Sequence, residues 1–170
     1  MVEAMTLKRE SSRLLSVECT YSPYNIALFL SSAQRVVPLV NFQAVFESIQ
    51  FVLQPNDNVV FEKVMANDGG GYDPKTGKFT APVGGVYIFT VQYCPLYYHE
   101  VGFEIVQGEI PLQRSAQESV DSTVCVNMQV VSKVEQGANV WVRATAKSTL
   151  HPENIHWNTF AGLLIHAIEN

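Results

Sequence analysis

Apolar and polar residues alternate along most of the chain, and this alternation is typical of half-buried β-strands. It begins over residues 40–47, returns over residues 59–65 and is clearest over residues 123–131. Residues 86–93 and 160–168 are instead apolar at almost every position, which predicts strands that are covered on both faces. Turn-forming segments separate eight or more such runs, and no helical stripe appears among them. The pattern therefore predicts an all-β sandwich or jelly roll.

Residues 1–37 lack this periodicity, because serines interrupt their apolar positions and Pro38 ends the segment. We therefore expect an N-terminal extension over residues 1–37 and one β-domain over residues 38–170, a length that fits a single domain. The first residues are polar and charged, so no signal peptide is visible in them. No apolar run approaches the roughly 18 residues that a membrane-spanning helix needs.

A glycine-rich segment over residues 67–89 is the most informative part of the chain. Glycines, two prolines and flanking Asp and Asn residues precede an aromatic strand, which predicts tight and specific turns. A phosphate-binding loop does not fit, since Gly71 and Gly77 have the wrong spacing for it. Phe79 also follows Lys78 where that loop needs serine or threonine. The segment is therefore predicted to be a rigid framework.

Four blocks of residues follow one another in a characteristic order: residues 42–44, residues 72–89, residues 137–142 and residues 160–164. In that order they resemble the globular-head domain of complement C1q, a C1q-like domain. The resemblance covers roughly residues 40–168, and its most diagnostic blocks lie within residues 72–89. The chain departs from many family members in lacking a collagen-like repeat. The residues that match the family framework are Phe42, Asn67, Tyr72, Gly77, Phe79, Pro82, Gly85, Tyr87, Phe89, Trp141, Phe160 and Gly162.

The resemblance implies a two-sheet jelly-roll sandwich that is related in fold to the tumour-necrosis-factor ligands and assembles as a trimer. It also implies a secreted, extracellular recognition protein without enzymatic activity, which binds proteins, carbohydrates, lipids or receptors. Tyr87, Phe89, Val91 and Tyr93 share one face of their strand. They form either the ordinary core of the sandwich or an aromatic stripe along a trimer axis.

Composition and charge restrict the partners. The chain is 47% hydrophobic and 16% charged, and its formal net charge is −5. The lysines and arginines are scattered, so neither nucleic acid nor an anionic membrane surface is expected as a partner. Two explanations fit the low charge: hidden subunit contacts, or a surface rich in uncharged polar residues.

The three cysteines, Cys19, Cys94 and Cys125, have no zinc-ligand spacing. One disulfide with a remaining thiol and three reduced thiols both fit this odd number. We expect three reduced thiols, because the cysteines lie far apart in the sequence and buried reduced cysteine is common.

Two groups of residues are candidates for binding. Tyr97, Tyr98 and His99 interrupt the strand pattern with exposed-looking aromatics and are the candidate ligand contacts. Glu118 and Asp121 are the candidate metal ligands, since calcium-binding members of the resembled family use acidic loop residues. Calcium takes six to eight oxygen ligands, so neighbouring chains would have to complete such a site. No cofactor is otherwise required.

Neither the histidines nor the known catalytic motifs indicate a further site in this sequence. His151 and His156 lie near Glu153 in a proline-containing segment that is more typical of a solvated loop than of a zinc site. His166 is expected to be a hydrogen-bonded residue of the buried last strand. No nucleophile-elbow motif is present, so catalysis is not expected.

The sequence thus favours a non-enzymatic, trimeric recognition module that binds ligands multivalently through its surface loops. Pattern recognition of an innate-immune or lectin-like kind is the first hypothesis. One alternative is a cytokine-like or synaptic-organiser ligand of a cell-surface receptor. Another is a structural oligomerisation module in which residues 1–37 drive association.

Overall fold

The structure, a computed structural model, describes residues 38–47, 52–120, 124–150 and 156–168. Within these ranges every regular element is a β-strand, so none of the described residues forms a helix that could cross a membrane. The strands of the described ranges are β1 (Asn41–Val45), β2 (Val52–Leu53), β3 (Lys63–Asp68), β4 (Tyr72–Asp73), β5 (Lys78–Thr80), β6 (Gly85–Tyr93), β7 (Glu100–Gln107), β8 (Ile110–Glu118), β9 (Val126–Val134), β10 (Asn139–Ala144), β11 (Ser148–Thr149) and β12 (Thr159–Ala167).

The strands form two five-stranded antiparallel sheets. The first sheet has the order β3-β1-β12-β6-β9, and the second has the order β4-β5-β10-β7-β8. A short pair, β2 with β11, stands apart from both. The first long strand lies beside the last one, and chain neighbours are often separated in the sheets, as in a jelly roll. The prediction of an all-β, two-sheet sandwich is confirmed.

The hydrophobic core contains the inward face of β6. Tyr87, Phe89, Val91 and Tyr93 are all fully buried within the single chain. The core interpretation of this stripe is therefore confirmed, and the trimer-axis interpretation is wrong. The intervening residues of β6 are half-buried, so this strand is closely covered on only one face. Alternation of side chains along a strand explains the difference.

The framework aromatics pack against one another in the core. Phe42 stacks on Tyr72 and on Phe79 with ring centroids 4.9 Å apart in both pairs, and meets Phe160 edge-on at 4.8 Å. Gly162 lies under this cluster, where an added Cβ would be 2.4 Å from a Phe42 ring carbon. Only glycine fits there without displacing the ring, so β12 and β1 depend on it for close packing.

The glycine-rich segment forms the predicted turns. The Asn67 side chain closes one of them, because its amide donates to the Tyr72 carbonyl (2.9 Å) and its oxygen accepts from the Tyr72 N–H (3.0 Å). Gly77 has a φ of +71°, and an added Cβ would lie 2.6 Å from the Val59 carbonyl oxygen. Pro82 lies in the bend before β6, where the chain turns toward Gly85.

Several details differ from the sequence predictions. The edge strand β8 was not predicted, because polar residues occupy both of its faces and Leu112 is only half-buried. Val59 and Phe61 are fully buried, but the predicted strand begins later, at Lys63. His166 is exposed and not a core histidine, because a bulge between Leu164 and His166 shifts the register of β12.

A buried carboxylate lies on the second sheet. Glu104 is 3% exposed, and its two oxygens accept hydrogen bonds from Arg143 Nε (2.7 Å) and Arg114 Nε (2.6 Å). Burial raises the pKa of the Glu104 carboxyl, but the hydrogen bonds from Arg143 and then Arg114 outweigh it and hold that pKa below its usual value. Nearby on the same sheet, Lys78 Nζ lies 4.2 Å from the centroid of the Trp141 ring.

Candidate recognition surface

Loops from different parts of the chain meet at one end of the sandwich, which we call the loop end: residues 94–99, 118–120, 124–125 and 156–158. The Tyr98 N–H donates to the Ser119 carbonyl (2.7 Å), and the Ser119 N–H donates to the His99 carbonyl (3.1 Å). These reciprocal hydrogen bonds join the β6–β7 connection to the end of β8.

Tyr98 is the most exposed aromatic residue of the loop end. Its φ is +60°, a conformation that is uncommon for a bulky residue. Its side chain is 74% exposed, and that of Tyr97 is 43% exposed. The His99 N–H donates to the Leu96 carbonyl (3.0 Å), so hydrogen bonds hold the backbone on both sides of Tyr98. An aromatic side chain on a backbone fixed in this way loses little conformational freedom on binding.

A disulfide between Cys94 and Cys125 anchors the same loop. Cys94 directly follows Tyr93 and Cys125 directly precedes Val126, the last register pair of β6 and β9, and the two cysteine Cα atoms are 4.1 Å apart. The expectation of three reduced thiols is therefore wrong for this pair. The expectation relied on the distance between the cysteines in sequence, but strand pairing brings together cysteines that lie 31 residues apart. Cys19 lies outside the described residues.

Exposed apolar side chains lie in the segments next to this anchor. The Cys94 N–H donates to Asn158 Oδ1 (2.7 Å), and the half-exposed Trp157 directly precedes Asn158 in the chain. Val120 and Val124 are also exposed, on either side of the undescribed residues 121–123. Sequence reasoning identified Tyr97 and Tyr98 but missed these three residues, which only the fold brings to the same end.

Two carboxylates face each other beside Tyr98. Glu100 on β7 and Glu118 on β8 are a direct cross-strand pair, and both are exposed. Side chains of such a pair point to the same face of the sheet, and like charges there repel each other. Among the described residues neither carboxylate forms an ion pair.

The predicted metal site remains a prediction. Glu118 lies in the described part of β8, but Asp121 lies outside it, as do His151 and Glu153. Within the described ranges, no group of three or more histidine, cysteine, aspartate or glutamate side chains is arranged to hold a metal ion.

A second surface, the outer face of the first sheet, carries aligned apolar residues. Leu163, Ile88 and Val131 are register neighbours on β12, β6 and β9. Leu163 is 45% and Val131 57% exposed. The next row across the same strands is small or polar and uncharged, with Gln129 Nε2 donating to Thr90 Oγ1 (3.3 Å). Both rows border a shallow depression of about 370 Å³.

Comparison with protein-family models gives a match over most of the chain. Residues 41–165 match the family model described as the C1q domain. The chain is 30% identical over 115 residues to complement C1q tumor necrosis factor-related protein 3 of Mus musculus, a match that covers 65% of this chain and 45% of that protein. The chain spans about half the length, or less, of the curated relatives it matches.

Solved structures show the same fold. The globular domain of the zebrafish complement 1qA protein superposes with a TM-score of 0.65 at 18% identity, covering 76% of this chain and 99% of that one. The Eiger TNF structure from S. frugiperda superposes with a TM-score of 0.56 at 16% identity, covering 79% and 97%. At these identities the similarity is one of fold alone.

Proposed function

The chain belongs to the C1q-domain family, and from this premise we propose that it is a non-enzymatic recognition module that assembles as a homotrimer. Its loop end binds extracellular ligands, on host or microbial surfaces, in three identical copies. The observation that carries the proposal is the outer face of the first sheet, whose central rows are apolar or polar and uncharged.

The outer face has the composition of a subunit interface. Interface cores are depleted in charged residues, and large exposed apolar patches mark interaction sites. Here Leu163, Ile88 and Val131 form one row, and Ile165 at the adjacent bulge is half-exposed as well. The described charged side chains of the surrounding strands, such as Lys133, lie toward strand ends. Burying these residues between copies would supply the association energy.

Assembly gives the loop end its binding strength. Each protomer would present one Tyr98 loop, and a ligand surface with repeated features would engage several copies at once. Linked sites can raise overall avidity by roughly 10²–10⁴-fold without any new contact. Weak single-site recognition is therefore enough for function.

The disulfide supports secretion. Disulfides persist in oxidising environments and are rare in the cytosol of most organisms. Cys94–Cys125 also anchors the loop that we assign to ligand contact, so oxidation and recognition are coupled in the same element. We therefore place the working protein outside the cell.

Paired charge substitutions test the interface. Leu163→Glu puts a carboxylate at the centre of the outer face, whereas Ile110→Glu makes the same change at an exposed residue of β8 in the second sheet. We expect light scattering after gel filtration to give a trimer for Ile110→Glu and a smaller species for Leu163→Glu. Equal masses for both variants, with both folded by circular dichroism, would overturn the assigned interface.

A further inference from the structure

We propose that the partner of the loop end is a protein segment that carries arginine or lysine, which docks with its cationic group between Tyr98 and the Glu100–Glu118 pair. The inference rests on the proposed function, because it names the partner class of the same surface. Exposed aromatic and apolar side chains form the surface, and the local charge determines the chemistry of its occupant.

The aromatic part of the surface suits a cation. A guanidinium or ammonium group is attracted to the face of a tyrosine ring within about 6 Å of its centroid. Tyr98 is 74% exposed, and its backbone is fixed by the hydrogen bond to Ser119. The ring is therefore accessible and attached to a rigid loop before any partner arrives. Recognition residues of this kind are often tyrosine and tryptophan.

The carboxylates select the kind of cation. Glu100 and Glu118 sit directly across from each other and form no ion pair among the described residues. A cation between them relieves their repulsion and completes charge-assisted hydrogen bonds. Guanidinium and ammonium groups supply N–H donors for these bonds, whereas a quaternary ammonium headgroup supplies none.

The extent of the surface favours a protein partner over a small amine. Val120, Val124 and Trp157 expose further apolar area at the same loop end. A single amine covers the tyrosine and the two carboxylates only. A polypeptide segment covers the carboxylates and the apolar side chains together, in the usual arrangement of an apolar interface centre with a charged rim.

The test uses the whole 170-residue chain, an immobilised oligo-arginine peptide and an oligo-citrulline peptide of the same length, with EDTA present throughout. Glu118→Gln removes one carboxylate of the pair, and Glu135→Gln removes an exposed carboxylate in the turn between β9 and β10 as the charge-matched control. Tyr98→Asn removes the ring but keeps a residue that tolerates positive φ, and Tyr98→Phe keeps the ring. Phosphatidylcholine vesicles test the quaternary ammonium source.

We expect oligo-arginine to bind and oligo-citrulline not to bind, with about threefold weaker binding for Glu118→Gln, the scale of one exposed ion pair. Tyr98→Asn should weaken binding comparably, and Glu135→Gln and Tyr98→Phe should not. If Glu118→Gln and Glu135→Gln weaken peptide binding equally, the effect comes from the net charge of the protein and not from this site, and the inference is overturned. Vesicle binding that depends on Tyr98 would assign the surface to lipid instead.

The light-scattering mass of each variant separates this inference from the proposed function. A trimer without Tyr98-dependent peptide binding refutes the cationic partner and leaves the trimeric module standing. If the protein is a monomer and Glu118→Gln still weakens peptide binding while Glu135→Gln does not, the trimer is refuted and the partner chemistry stands.

Discussion

Removing the Cys94–Cys125 disulfide should destabilise the domain by several kcal/mol. The bond closes a loop between residues 31 apart in sequence. Cross-linking a loop of that length removes about 12 cal/mol/K of entropy from the unfolded chain, or about 3.7 kcal/mol at 25 °C. For a chain of this size, about 1 kcal/mol corresponds to roughly 2–4 °C in melting temperature. We therefore expect reduction to lower Tm by about 7–15 °C.

The assay compares thermal unfolding with and without tris(2-carboxyethyl)phosphine at one fixed protein concentration, because association also raises the apparent Tm. Reduction keeps both sulfur atoms in place and so avoids a cavity at the buried Cys94. The Tm of a Cys94→Ala/Cys125→Ala variant should match that of the reduced protein, apart from a small further decrease caused by the cavity that the missing sulfur atoms leave. A Cys19→Ala variant keeps the disulfide and should respond to the reductant as the unmodified chain does.

Two results would contradict stabilisation by this disulfide. One is a peptide map of the oxidised protein that contains no cross-link between Cys94 and Cys125. The other is a verified cross-link whose reduction moves Tm by less than about 2 °C, which would mean that the unfolded chain gains little freedom from losing it.

The remaining predictions concern the core and the second sheet. Glu104→Gln should cost roughly 1–3 kcal/mol. Because folding lowers the pKa of Glu104, its carboxylate stabilises the protein above the unfolded-state pKa, and this stabilisation is lost as pH falls through the folded-state pKa. The free energy of unfolding in urea should therefore fall less between neutral pH and pH 3 for the variant than for the unmodified chain. An equal fall for both would contradict the pairing with Arg143 and Arg114. Gly162→Ala should lower stability by about 1–3 kcal/mol in the same assay, because its Cβ would lie 2.4 Å from a core ring. Gly84→Ala, whose Cβ would have 3.4 Å to its nearest neighbour, should cost less, and equal costs would show that the contact is relieved. Lys78→Met should cost about 0.5–1 kcal/mol through the lost contact with Trp141, and no cost in thermal unfolding would refute it.

Local pattern was enough to predict the fold class, because β-alternation and turn chemistry are properties of neighbouring residues. The turn around Gly77 follows from the residue types and their spacing. The same spacing places the aromatic residues of β6 on one face, but it leaves open whether that face is core or subunit interface, and only the fold shows that it is buried. β8 was not predicted because this exposed edge strand has no apolar face, and so its sequence lacks the alternation that indicates a strand.

The candidate site was only partly predictable. Tyr97 and Tyr98 stood out as aromatics in a break between strands, and the structure places them on the surface. The disulfide and the Glu100–Glu118 pair depend on strand register, which one sequence does not reveal. Had β6 been paired with β9 in advance, Cys94 and Cys125 would have been adjacent in the ladder.

Sedimentation equilibrium of the unmodified chain, with and without a calcium chelator, measures the mass of the assembly without any substitution. We expect one species of about 57 kDa, three times the chain mass of 18.9 kDa, over a range of micromolar concentrations. A mass of 18.9 kDa at every concentration, with and without chelator, would contradict a trimeric recognition module.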